Sequence, residues 1–187
     1  TTAEHTMALM MSLARNIPEA NKSTHKGNWE KSKFTGTELY SKTLGLIGCG
    51  NIGSIVANRA LGLKMHVKVY DPFLTNEKAS EIGVEKIKIN KLFKISDFIS
   101  LHVPLTNSTK EIINKNTIKK MKKGVKIINC ARGGLVNEKD LADAINKGHI
   151  SGAAFDVFSK EPANTNILFG IPQVVATPHL GASTEEA

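Results

Sequence analysis

The run Gly48-Cys49-Gly50-Asn51-Ile52-Gly53 places three glycines at fixed spacing directly behind the apolar Leu44-Gly45-Leu46-Ile47 and ahead of a segment with helical periodicity. A strand that turns sharply into a helix needs a first glycine for the turn, here Gly48. It needs a second, Gly50, where backbone approaches a ligand with no side chain between, and a third, Gly53, where helix packs closely on strand. Amides near Asn51 and Ile52, at the positive end of that helix, are then available to phosphates. A glycine-rich turn that binds nothing is written with the same letters. Asp71 favours the first reading: it ends the next apolar run, Val67-Lys68-Val69-Tyr70, 18 residues beyond Gly53. A carboxylate there accepts both hydroxyls of an adenosine ribose and repels a 2′-phosphate. Pro72 and Phe73 follow it, with no arginine, so NAD is expected rather than NADP. The plainer alternative is that Asp71 is a turn former ahead of proline.

From Leu44 onward short apolar runs alternate with helical segments, the pattern of a parallel sheet covered on both faces. Strands are expected at 44–47, 67–70, 86–89, 98–101, 126–129, 152–155 and 174–176, and helices at 51–62, about 75–82, 114–121 and 137–147. The fold class is therefore α/β, a doubly wound, mostly parallel sheet of the Rossmann type. Ahead of it, Thr1-Thr2-Ala3-Glu4 has capping-box spacing, and Met7, Met10, Met11 and Ala14 predict a helix to about residue 21. Residues 22–42 read as an extended arm that Trp29, Phe34 and Leu39 anchor. With 187 residues, 41% of them hydrophobic, the chain is long enough for one sizeable core. One domain is expected: helix and arm over 1–42, core over 43–182, and the start of a further helix over 183–187. Ser183-Thr184-Glu185-Glu186 repeats the capping-box spacing, which makes the chain an expected fragment of a longer protein.

Cys49 and Cys130 form no C-x-x-C or Cys/His ligand pattern, so neither a disulfide framework nor a metal site is expected, and a reducing cytoplasm fits. No apolar stretch is long enough to cross a membrane. The net charge of +8 suggests nucleic acid, but the lysines are scattered, with one dense cluster at Lys119, Lys120, Lys122 and Lys123, and aromatic residues make up only 5%. Neither a nucleic-acid nor a membrane partner is expected.

Only three of the 25 basic residues are arginine, and one of them is Arg132, in Asn129-Cys130-Ala131-Arg132-Gly133-Gly134 behind a predicted strand. A guanidinium grips a carboxylate with two parallel donors, which an ammonium does not. The bland alternative is an arginine bracing its own loop. His179, in Thr177-Pro178-His179-Leu180-Gly181-Ala182, follows the last predicted strand, where an imidazole can take a proton from an alcohol and return it. Glu161 follows another strand, and a carboxylate bonded to an imidazole raises its basicity and fixes its tautomer. The alternatives are a loop histidine and a solvated carboxylate before Pro162. Together the three supply a carboxylate clamp, a proton carrier and its orienting partner beside a dinucleotide site.

Over essentially its whole length the chain resembles the nucleotide-binding domain of the D-2-hydroxyacid dehydrogenases. The resemblance is carried by the glycine motif, Asp71, Trp29, Phe34 to Leu39, Lys42 to Gly45, Asn129 to Gly134 and Pro178 to Thr184. Within the family these runs most resemble the branch acting on phosphoglycerate. The resemblance implies that Arg132 holds the substrate carboxylate, His179 exchanges the hydroxyl proton, Glu161 supports His179, and hydride passes from the second carbon of a 2-hydroxy acid to NAD. It also implies that His102, Val103, Pro104 and Thr109 lie near the adenosine and phosphates. Cys130 and Ala131 pass the nicotinamide ribose, Asp156 binds the carboxamide, and Gly181 and Ala182 complete the cofactor site. A homodimer formed through the first helix and the arm is implied as well, as is a substrate domain built from segments outside this chain, without which it is expected to bind NAD but to turn over poorly or not at all. Three readings stay open: another 2-hydroxy acid as substrate, an NAD-sensing binding protein, and thiol catalysis by Cys130 with His179. For His102, a surface-loop histidine is the alternative.

Overall fold

The computed structural model describes residues 1–187. Its strands are β1 (Thr43–Ile47), β2 (His66–Tyr70), β3 (Glu85–Lys86), β4 (Phe98–Leu101), β5 (Val125–Asn129), β6 (Ile150–Phe155) and β7 (Val174–Ala176). They form one sheet in the order β3-β2-β1-β4-β5-β6-β7, with every neighbouring pair parallel. The chain starts the sheet in the middle, winds outward through β2 and β3, then returns to the other side of β1 with β4. The gap between the loops after β1 and β4 is thus the switch point where such sheets take ligands.

Parallel strands need long crossovers, and these are α3 (Asn51–Gly62), α4 (Asn76–Ile82), α5 (Ile89–Ile95), α6 (Lys115–Ile118) and α7 (Glu138–Asn146), preceded by α1 (Thr2–Ala14) and α2 (Ile17–His25). Strand alternation splits the apolar residues into two cores. Leu44, Leu46, Val67, Val69, Ile128 and Ala154 join Met7, Met10, Val56 and Ala57 of α1 and α3. Ile47, Ile99, Leu101, Ile127 and Phe155 join Leu92, Phe93, Leu141 and Ile145 of α5 and α7. Both faces are covered, as a sheet built of near-continuous apolar strands requires. The first core matters for function, because it lays α1 across β5, β6 and β7 and brings its N-terminal end to the edge where those strands stop.

The expected fold class stands, and several boundaries move. The first helix stops at Ala14 because Asn16 adopts a left-handed backbone, and Pro18, which cannot sit inside a helix, opens α2 instead. The arm therefore begins with the end of α2 and carries a 3-10 turn at Lys31–Phe34. Trp29 does not anchor it, being 87% exposed, whereas Leu39 packs on the first core. The expected strand over 86–89 ends at Lys86, and Ile89 opens α5, whose Leu92 and Phe93 are buried at helical spacing. The helix over 114–121 is shortened to Lys115–Ile118, with a capping box between Asn114 and Thr117. Thr1 caps α1 with its carbonyl and not its side chain. Residues 184–186 form a bend and a turn.

Candidate functional site

At the end of β1 the backbone turns through Gly48 at φ +95°, and a Cβ there would run into the His102 carbonyl and lie 2.7 Å from Val103. The turn after β1 and the loop after β4 are thus packed backbone to backbone. Gly53 abuts the Gly48 carbonyl, where a Cβ would approach it to 2.6 Å. Gly50 is the opposite case, with no atom within 4 Å of a Cβ built on it. Open space thus lies against a backbone without a side chain, at the N-terminus of α3, whose first amides have no partner inside the helix. Asp71, at the end of neighbouring β2, is locked to the turn: one carboxylate oxygen accepts the Cys49 amide and the other the Phe73 amide, both at 2.8 Å. Each oxygen keeps a lone pair to offer. A glycine cradle open to solvent, unpaired amides and a fixed carboxylate one strand away fit a dinucleotide.

A cleft of about 470 Å³ runs from Ile52 past His102, Val103, Pro104, Cys130, Ala131, Arg132 and Asp156 to His179, Gly181 and Ala182. Eleven of its twelve lining residues are among those the sequence singled out, so the loops do converge; the twelfth is Thr2 of α1. Asp71 lies beyond the turn, in an open depression of about 930 Å³ with Tyr70 and Pro72. Thr109 is not at the cleft and braces its own loop, donating to the Pro104 carbonyl at 2.6 Å. Another cleft, about 390 Å³ between α6 and α7, is lined by charged groups such as Lys139 and Asp143, and contains no predicted site residue.

Arg132 is held by its neighbours. Asn129, buried at the end of β5, accepts the Ala131 amide and donates to the Arg132 carbonyl, each at 3.0 Å. Gly133 lies so close to the Phe158 carbonyl that a Cβ has no room, which presses the loop after β5 onto the loop after β6. The guanidinium itself is exposed, donates to the Ala131 carbonyl, and pairs with no carboxylate of the chain. It is therefore free to take an anion from outside.

His179 and Glu161 meet at 2.7 Å, Nδ1 to Oε2, while the other Glu161 oxygen accepts the Phe158 amide at 3.0 Å. Partial burial works to raise the Glu161 pKa, but the bond from His179, the Phe158 amide and the neighbouring imidazole outweigh it and hold the carboxyl below its usual range. With Nδ1 engaged by a carboxylate, Nε2 is left without a partner, the tautomer a proton acceptor needs. His179 lies between the cleft it shares with Arg132 and a second hollow of about 490 Å³ that contains Glu161.

Two other groups are tuned by burial. The Cys130 thiol is buried and pushed up to about 12, chiefly by desolvation, which disfavours the thiolate that thiol catalysis needs. His102, half-buried in the loop after β4, bonds Ser100 through its ring at 2.8 Å, and desolvation pushes its pKa down to about 4. Asp156, 1% exposed, accepts the Thr177 hydroxyl and the Leu180 and Gly181 amides, with His5 of α1 nearby. The sequence reading missed Asn129, Ser100, Thr177, Thr2 and His5. An asparagine between a strand and a glycine pair is an Asx-turn signal that marks Asn129. Nothing local marks His5, which lies 172 residues from its partner Thr177.

The profile of the family described as D-isomer specific 2-hydroxyacid dehydrogenase, NAD binding domain, matches residues 7–181. D-3-phosphoglycerate dehydrogenase of Bacillus subtilis is 52% identical over 186 residues, covering 100% of this chain and 35% of the relative. The enzyme of that name from Methanocaldococcus jannaschii is 51% identical, covering 99% and 36%. D-lactate dehydrogenase from Aquifex aeolicus, solved in complex with NAD and lactic acid, superposes with a TM-score of 0.90 at 35% identity, covering 99% of this chain and 60% of that one. The chain spans about a third of the length of these curated relatives.

The desolvation of half-buried His102 has a pH consequence. An unfolded imidazole binds its proton near 6.5 and the folded one not until about 4, so acid favours the unfolded chain between those values. Unfolding free energy measured by urea titration is expected to fall as pH drops through that window, and His102→Gln is expected to flatten the slope there. An unchanged slope in the variant would refute the assignment.

Proposed function

Because the chain belongs to the family of D-isomer specific 2-hydroxyacid dehydrogenases, as their NAD-binding domain, we propose that it forms the cofactor half of an enzyme interconverting a 2-hydroxy acid and its 2-oxo acid. The observation that carries this reading is the 2.7 Å His179–Glu161 pair opening on a cleft that also contains an unpaired Arg132. The guanidinium takes the substrate carboxylate through two parallel hydrogen bonds, which fixes the hydroxyl-bearing carbon relative to the cleft. Nε2 of His179 accepts the hydroxyl proton, and Glu161 stabilises the imidazolium that forms and keeps the ring from turning. In the reverse direction the same imidazolium returns the proton. NAD, when bound, supplies the hydride acceptor.

Gly48, Gly50, Asn51, Ile52 and Gly53 would hold the pyrophosphate and Asp71 the adenosine ribose. His102, Val103 and Pro104 would border the adenosine and phosphates, with Thr109 bracing their loop from outside the cleft. The backbone of Cys130 and Ala131 would pass the second ribose, with Asp156, Gly181 and Ala182 at the carboxamide end. The substrate we assign is 3-phosphoglycerate, oxidised to 3-phosphohydroxypyruvate on the route to serine, supported by relatives of that name at 51–52% identity. A D-lactate reading is the second, supported by the 35%-identical structure solved with lactic acid. The two free cysteines fit a reducing cytoplasm. A homodimer is proposed through α1, α2 and the arm, where Met11, Ile17, Trp29 and Tyr40 stay exposed.

The proposals are tested on the full-length protein. A higher kcat/KM for 3-phosphoglycerate than for D-lactate is expected, and the opposite order would move the assignment to the second reading. His179→Ala is expected to lower kcat by roughly 10²–10⁴-fold. Arg132→Lys is expected to raise KM by about 10-fold or more, since one ammonium replaces a bidentate fork; a variant with wild-type kinetics would remove either residue from its role. By calorimetry, Asp71→Ala is expected to weaken NAD about 10-fold or more and to erase its preference over NADP. Preserved preference would assign selectivity elsewhere. Light scattering at micromolar concentration is expected to give a dimer, and Trp29→Ala a larger monomer fraction; a wild-type monomer would rule out the interface.

A further inference from the structure

Asp156 is a buried carboxylate at the end of β6, and its partners all belong to the segment that carries His179 or to α1. One oxygen accepts the Thr177 hydroxyl and the Leu180 amide, each at 2.7 Å, and the other accepts the Gly181 amide at 2.9 Å. The one basic side chain within salt-bridge distance is His5, whose Nε2 lies 3.4 Å from Asp156 and 3.1 Å from the Thr177 hydroxyl. Since that hydroxyl spends its proton on Asp156, it accepts from Nε2–H of His5, which sets both the tautomer of His5 and the direction of the chain of bonds. A second contact repeats the link: a Cβ on Gly181 would lie 3.2 Å from both Asp156 and Thr2, so the loop after His179 is wedged between β6 and the first turn of α1.

His179 needs such a hold. Its backbone is left-handed at φ +55°, a conformation unfavourable for a side chain of this size, and the Glu161 bond restrains only the ring. The amides fixed by Asp156 are those of the next two residues. We propose that His5 is a positioning residue for the proton transfer assigned to His179, acting through Thr177 and Asp156 to keep the 177–181 segment in register with the cleft. The inference rests on the reading of His179 given above. It gives α1 a part in the site that packing alone does not: the helix is keyed to the reacting loop by a hydrogen-bonded side chain, so a shift of α1 along its axis is a shift of His179.

The test uses the full-length protein. His5→Phe keeps the ring's bulk and loses its N–H, Thr177→Val loses the relaying hydroxyl, and His5→Gln restores a donor at similar reach. Turnover per NAD-binding site is expected to fall about 10-fold in His5→Phe and in Thr177→Val, with KM for the hydroxy acid within about 2-fold. The double variant is expected to fall no further than the single ones, since both act through one link. Without cofactor or substrate, amide hydrogen exchange at Leu180 and Gly181 is expected to quicken in the same variants and to return toward wild type in His5→Gln. Either readout unchanged in His5→Phe overturns the proposal, whatever the melting temperature does. If that variant does not fold, Thr177→Val is judged on the same two readouts. His179→Ala is measured alongside: turnover retained there sinks the reading of His179, whereas turnover lost there and normal in His5→Phe sinks the coupling alone.

Discussion

In a sheet whose seven strands all run parallel, every C-terminal end falls on one edge, and the loops leaving that edge must find partners in one another. The chain meets this constraint by pressing those loops together in pairs. The turn after β1 leans on the loop after β4 through Gly48 and the His102 carbonyl, and the loop after β5 leans on the loop after β6 through Gly133 and the Phe158 carbonyl. Neither approach tolerates a Cβ, so the glycines there report contact between loops as much as the shape of a turn. The distance between the cofactor cradle and Arg132 is consequently set by strand spacing, with little left to loop flexibility.

The same edge sorts charge. Asp71, Asp156 and Glu161 each sit where backbone amides already satisfy part of the carboxylate: Cys49 and Phe73 for the first, Leu180 and Gly181 for the second, Phe158 for the third. Such carboxylates keep their orientation without a neighbouring lysine, although lysine is abundant in the chain. Arg132 is the reverse case, a cation held by its backbone and left without a counter-ion. A site with fixed anions aimed at hydroxyls and imidazoles, and one free cation, is preorganised for a ligand that carries a carboxylate.

How much of this is legible in the sequence follows from what is local. The glycine motif, Asp71, the alternation of strands and helices and the loop positions of Arg132, Glu161 and His179 are set within a few residues of themselves, and the structure brings these loops to one edge. Boundaries failed where a strong local signal competed with a weaker one. Pro18 and Asn16 break a helix whose apolar spacing runs on, and Ile89 starts a helix inside what reads as a strand. The arm's Trp29 cannot be placed from one chain's pattern, since an exposed indole and a buried one read alike. Ser100, Thr2 and His5 were missed because their importance comes from partners supplied by other elements.

That last group changes how α1 is understood. Its buried face, with Met7, Met10 and Leu13, gives a sufficient reason for the helix to lie across β5 to β7, and apolar packing of that kind fixes a helix about its axis better than along it. Polar contacts supply the missing coordinate. Thr2 against Gly181 and His5 against Thr177 sit about one turn apart on the same end of α1, and both bind the segment that carries His179. Sliding the helix by a turn would keep much of the apolar burial while breaking both contacts and leaving Asp156 buried without its imidazole. The penalty for that slip falls on the reacting loop, so the register of a helix near the start of the chain and the geometry of a histidine near its end are one structural variable.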